Sequence, residues 1–146
     1  MNNPVSNNPT ETVAKEMYAR DNLANMLGIR ITKTDDGYAE AQMPVRADML
    51  NSFEICHGGI IFALADTAFA YACNSSNKAT VAMNCSISYL KPCHEGEILS
   101  AIAEERVRDG RNGVYDVTVK RADGHVIAIF QGNSREIRGN SVPGLT

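Results

Sequence analysis

The segment HGGIIFALADTAFAYACNS, residues 57–75, constrains the fold more than any other stretch: from Ile60 to Cys73 it runs 14 residues with a single charged side chain, Asp66. A helix that is apolar all round must be covered on every side. This one is shorter than the ~20 residues a bilayer-spanning helix needs, so its cover has to be protein. One carboxylate in such a segment is costly unless it is neutral, hydrogen-bonded, paired, or facing a cavity. It does not read as a cap, because Asp66 lies about two turns beyond Gly59, out of reach of the free N–H groups of the first turn.

The rest of the chain supplies the cover. Thr10 or Thr12 can cap a helix that runs to Leu27, with Gly28 as its stop. Residues 28–34 and 38–45 read as two strands joined by the tight turn Asp35-Asp36-Gly37. After residues 57–75 the pattern changes to period two: Val81, Met83, Cys85, Ile87 and Tyr89 alternate with mostly polar residues, which predicts a half-exposed strand. Strands are expected over 97–108, 114–121 and 126–135, separated by the loop RDGRNG (108–113) and the turn 122–124. The stretch VIAIF (126–130) is apolar on both faces, which suggests a central strand. Short connections favour antiparallel neighbours. The fold class is therefore α+β, an antiparallel sheet wrapped around one long central helix, with a single domain over 11–146 after a disordered, Asn- and Pro-rich segment 1–10.

At 146 residues and a net charge of −3, the chain is one domain with no field suited to nucleic acid. Its four cysteines include no C-x-x-C pair and its N-terminus has no signal-peptide pattern, so a reduced, cytoplasmic protein is expected. Two Cys-His dipeptides, Cys56-His57 and Cys93-His94, are spaced unlike zinc motifs, and no metal is expected. There is no G-x-S-x-G of a serine hydrolase.

The chemistry lies in two features of the same helix. His57-Gly58-Gly59 opens it with residues that expose backbone N–H groups at the positive end of the dipole, where an oxyanion can bind. Asp66 could attack a carbonyl polarised there, or activate water against it. Within one chain the two cannot meet, since eight helical residues separate them by roughly 12 Å. A two-fold dimer with antiparallel central helices brings Asp66 of one subunit to the helix start of the other.

These residues, HGG followed by ADTA in one apolar helix and preceded by ADMLN (47–51), closely resemble the hotdog-fold acyl-CoA thioesterases of phenylacetate degradation. The resemblance extends over nearly the whole chain, is strongest in LADTAFAYACNS and includes GVYDVTV (113–119). It implies a hotdog fold, dimers that share a sheet and pair into homotetramers, and hydrolysis of phenylacetyl-CoA and its ring-hydroxylated forms. No cofactor is implied, CoA being part of the substrate. By resemblance Asp66 is the general base or nucleophile, the Gly58 N–H polarises the carbonyl, and Asn51 and His57 orient water or shape the site. Gly59, Thr67 and Phe62 are expected to contact substrate. An assisting hydroxyl would come from Thr67, Thr80 or Ser86. Arg106, Arg108, Arg111, Arg135 and Arg138 are candidates for the CoA phosphates, Arg111 foremost because it sits in the loop before a strand. Leu50, Phe53, Ile61, Phe62, Leu64 and Ala65 are candidates for the acyl pocket. The rival readings are an acyl-CoA-binding module without catalysis, and a hotdog dehydratase with His57 as base.

Overall fold

The structure, a computed structural model, describes residues 8–145. The expected N-terminal helix is two. α1 (Pro9–Arg20) is capped by Asn8, whose side chain accepts from the Thr10 N–H at 3.1 Å, so the cap is Asn8 rather than Thr10 or Thr12. Of the segment expected to be disordered, 8–10 form this cap and first turn, and 1–7 lie outside the described residues. α1 stops at Asp21, which leaves helical geometry and uses its carboxylate to cap α2 (Asn22–Leu27) through the Ala24 N–H at 3.1 Å. An aspartate that can bond backbone N–H groups outside a helix favours such a break. Gly28, at φ 70°, ends α2 as expected.

β1 (Arg30–Asp35) and β2 (Tyr38–Pro44) form the expected hairpin, and a short 3-10 turn at Ala47–Met49 leads toward the central helix α3 (Gly58–Cys73). Then come β3 (Lys78–Tyr89), β4 (Ile98–Asp109), β5 (Asn112–Arg121) and β6 (Val126–Asn140). All pair antiparallel in one sheet of order β1-β2-β4-β5-β6-β3. β6 is interior, as the doubly apolar VIAIF implied.

α3 lies chiefly over β2, β4 and β5. Leu64, Ala65, Ala68, Phe69 and Ala72 pack on Ala39, Ala41, Met43, Ala101, Ala103, Val117 and Val119. The alanines on both surfaces let helix and sheet approach closely, and Phe69 fills the remaining space against Tyr115 and Phe130, with ring centroids at 5.5 and 5.8 Å. A Cβ at residue 132 would fall 2.7 Å from the Phe69 ring, so β6 carries Gly132 beneath it. Truncating Phe69 to alanine would cost about 3–5 kcal/mol.

The two sheet edges differ. Along β1, α1 is tied at both ends: Asn8 donates to the Thr34 carbonyl at 3.1 Å, Thr10 to the Thr34 hydroxyl at 3.1 Å, and Tyr18 to the Ile29 carbonyl at 2.5 Å. β3, the other edge, is more open than its alternation implied, with Val81 43 %, Met83 63 % and Tyr89 48 % exposed. The reason is position: α3 sits mainly over strands further in, and only Cys85 and Ile87 of β3 pack partly on the core. From Ala79 to Leu90 the strand has neither proline nor charge, the usual means of blunting an edge.

Candidate active site

The start of α3 is set by a braced loop. The Asn51 Oδ1 accepts from the N–H groups of Phe53 at 2.9 Å and Ile55 at 3.4 Å, Glu54 takes φ 60°, and Leu50 bridges to Cys56. The Cys56 N–H donates to the Cys93 carbonyl at 2.8 Å and the His57 N–H to the Met49 carbonyl at 2.9 Å, which fixes the chain as it enters the helix. His57 is the N-cap residue in extended backbone, and its exposed side chain makes no capping bond. The first helical N–H groups, those of Gly58 and Gly59, have no hydrogen-bond partner among the described residues. A Cβ at Gly59 would meet nothing within 4 Å. Such a terminus offers two donors to an oxyanion.

The opposite side of α3 from its core face is a stripe of Gly59, Phe62, Ala63, Asp66 and Ala70, none of them fully buried. Asp66 is half-buried there and forms no hydrogen bond or ion pair among the described residues. Burial pushes its carboxyl up from the ordinary value, and the nearby charge of Asp21 adds to this. Asp21 itself is held by the Tyr71 hydroxyl at 3.2 Å as well as by its capping bond. The charge of Asp66 is also felt by the thiols of Cys73 on α3 and Cys85 on β3, both raised first by burial. Asp66, only partly buried, therefore lies on the open side of α3 rather than in the core.

Several expected site residues lie elsewhere or are occupied. Thr67 is buried and donates to the Ala63 carbonyl at 2.6 Å, a bond within the helix that withdraws its hydroxyl from the open stripe. Thr80 donates to the Lys78 carbonyl at 2.8 Å, and Ser86 lies on the face of β3 opposite Cys85, away from α3. Ile61, Leu64 and Ala65 are buried in the core. Phe62 does lie on the stripe, edge-on to Phe130 at 5.3 Å, and Phe53 is 82 % exposed on the braced loop. Asn51 spends its oxygen on the loop, leaving its amide N–H groups for other partners.

Of the arginines, Arg106 pairs with Asp116 at 2.8 Å and Arg108 with Glu105 at 3.0 Å, while Arg135 donates to Asn112 at 3.4 Å. The side chains of Arg111 and Arg138 have no ion pair among the described residues. Arg111 lies on the β4–β5 turn, beside a crevice that also includes Cys73, Lys78 and Glu136 at the far end of α3. Among the described residues no group of three His, Cys, Asp or Glu could hold a metal ion, and no helix is long and apolar enough to cross a membrane.

Sequence reasoning missed the contact that Tyr89 makes with the start of α3. Its hydroxyl donates to the Gly58 carbonyl at 2.7 Å, and its ring would lie 3.0 Å from a Cβ at Gly58. The residues are 31 apart in sequence, and no local pattern joins them.

An antiparallel sheet wrapped on one helix, with unpartnered N–H groups at the helix start and a lone carboxylate on its open face, defines a hotdog-fold thioesterase. The family model of the Thioesterase superfamily matches residues 53–128, and the chain belongs to that family. Acyl-coenzyme A thioesterase PaaI of Escherichia coli (strain K12) is 45 % identical over 126 residues, 86 % of this chain and 90 % of its own. The structure of the E. coli PaaI protein from the phenylacetic acid degradation operon matches with a TM-score of 0.89 at 43 % identity, covering 90 % of this chain and 96 % of that one. An Asn-to-Asp mutant of the phenylacetic acid degradation protein PaaI from Thermus thermophilus matches with a TM-score of 0.77 at 33 % identity, over 80 % and 100 %.

Proposed function

We propose that the chain hydrolyses acyl-CoA thioesters, with phenylacetyl-CoA and its ring-hydroxylated forms as the preferred substrates. The observation that carries this reading is the unpaired Asp66 on the same helix as the unpartnered Gly58 N–H. The likeness to the E. coli PaaI thioesterase supports the choice of substrate.

The catalytic unit is a two-fold dimer, for the two groups are ~12 Å apart along α3 and cannot act on one carbon within a chain. Two features support the dimer: the bare β3 edge, and the open stripe of α3 with its small residues Ala63 and Ala70. Joining β3 to its copy extends the sheet across both subunits and sets the helices antiparallel. The outer face of the sheet carries Ile102, Thr118 and Ile129 in one cross-strand row, a surface on which two dimers pair into a tetramer.

In the reaction, the Gly58 N–H of one subunit binds the thioester oxygen, where negative charge grows as the carbonyl carbon becomes tetrahedral. Asp66 of the other subunit takes a proton from a water molecule whose oxygen bonds to that carbon. Collapse breaks the C–S bond, and the CoA thiolate receives the proton from Asp66. A direct attack by Asp66, with hydrolysis of the resulting anhydride, uses the same groups; single-turnover incorporation of oxygen-18 into Asp66 separates the routes. His57 and the free amide of Asn51 orient the water, and Arg111 meets a CoA phosphate. Neither route calls for a cofactor.

The test is release of free CoA from a panel of thioesters, read with a thiol reagent, using the native chain and Asp66→Asn together. Rapid release from phenylacetyl-CoA that Asp66→Asn abolishes is the expected result. Binding without release would instead make this an acyl-CoA-binding module.

A further inference from the structure

We infer that Gly59 supplies a second N–H to the thioester oxygen and that the Tyr89 hydroxyl strengthens it, which makes Tyr89 a positioning residue for hydrolysis. The inference rests on the thioesterase reading of the α3 terminus. Tyr89 ends β3, and its hydroxyl donates to the Gly58 carbonyl at 2.7 Å. That carbonyl and the Gly59 N–H belong to one planar, conjugated peptide unit. A donor on the oxygen draws electron density from the nitrogen, so the N–H at the other end becomes a stronger donor, by roughly 10–30 % per bond in linked chains. A carbonyl oxygen has two lone pairs, so Tyr89 adds to the helical bond and does not displace it.

The surroundings agree with this role. The Gly59 N–H has no partner among the described residues, and its Cα faces open space with nothing within 4 Å of a Cβ position. Gly58 has the opposite environment: a Cβ there would lie 3.0 Å from the Tyr89 ring carbon that bears the hydroxyl and 3.1 Å from the oxygen. Glycine at 58 is what lets the tyrosine come down onto the peptide. Glycine at 59 leaves room for a ligand on the donor side. The backbone of Gly58 does not need positive φ, so the close approach of Tyr89, not turn geometry, accounts for the missing side chain. β3 is also the bare edge, so the strand that would carry the partner subunit also sets the donor strength.

The experiment compares native chain, Tyr89→Phe and Asp66→Asn. Phenylalanine keeps the ring on Gly58 and removes only the hydroxyl. The expected result for Tyr89→Phe is a kcat about 2- to 8-fold lower, as for the loss of 10–30 % of the strength of a donor that contributes roughly 10²- to 10³-fold, with KM unchanged. Affinity for a CoA thioether, which lacks the carbonyl, and the thermal midpoint should both stay at native values. An unchanged kcat overturns the inference, and so does a loss of kcat that the thioether affinity or the midpoint follows in parallel. Asp66→Asn keeps the two failures apart: if it is inactive while Tyr89→Phe is native, only the role of Tyr89 falls, whereas an active Asp66→Asn removes the thioesterase assignment of the site.

Discussion

Gly58 and Asp66 stand on one helix, the first as its opening residue and the second eight residues further on, with no flexible segment between them that could close the gap. Their separation makes cooperation across two chains a measurable property. Gly58→Pro and Asp66→Asn should each be inactive alone. Mixed dimers would contain one fully native site and one doubly altered site, so statistical mixing should restore about a quarter of native activity. If the site lay within one chain, the mixture would stay as inactive as its parents. Activity measured after co-refolding the two variants decides this.

Gly58→Pro also removes the first donor outright. Proline is tolerated at the first helical position, and His57 at φ −55° and ψ 136° already has the extended backbone that precedes proline. Tyr89 must shift by a few tenths of an ångström to admit the ring. The variant should keep its circular dichroism spectrum and lose about 10²- to 10³-fold in kcat.

Asp66→Asn should lower kcat by at least about 10²-fold while the chain folds and assembles normally. Its stability should move the other way. The folded carboxyl titrates above its ordinary value of 3.8, so between the two values the native state holds more protons than the unfolded chain. The stability Asp66 allows is therefore fullest below 3.8 and falls as pH climbs through the raised folded value. At neutral pH the ionised side chain is a burden, and the neutral amide should melt at the same or a higher temperature by calorimetry.

The acid limb of the pH–rate profile should report the same group. Activity should fall on acidification above the usual carboxylate range, because burial and then the charge of Asp21 hold Asp66 up. Asp21→Asn keeps a side-chain oxygen for capping α2 and removes the charge, so its limb should move toward lower pH. An unmoved limb would show that Asp21 does not act on Asp66 electrostatically.

Met83→Lys should separate folding from assembly. Met83 is 63 % exposed at an irregularity in the β3–β6 register, so a lysine there disturbs no core contact but guards the edge. Light scattering should show a folded monomer, and hydrolysis should be lost with the proposed dimer.

The strand order was not readable from the sequence, but most strands were, because turn residues and period two are local signals. Asp66 and Gly58 were legible for a related reason: an acid in an apolar helix and paired glycines at its start are anomalies visible within 19 residues. The break at Asp21 was not, since a helical pattern continues past it and only the side chain's choice of the Ala24 N–H ends α1. That Thr67 is turned inward was not legible: the helix is apolar all round, and period alone does not say which side the sheet covers. Tyr89 was read as one more apolar residue of an alternating strand, because its contact with Gly58 arises only when β3 comes to lie beside the start of α3.

The unequal edges also limit how far the sheet can grow. A strand that adds to β3 brings with it a second sheet whose far side is again strapped by its own α1, held through Thr34 and Ile29. In the proposed dimer that union would use both β3 borders, so growth by this route would end after one step with a closed pair instead of a fibril.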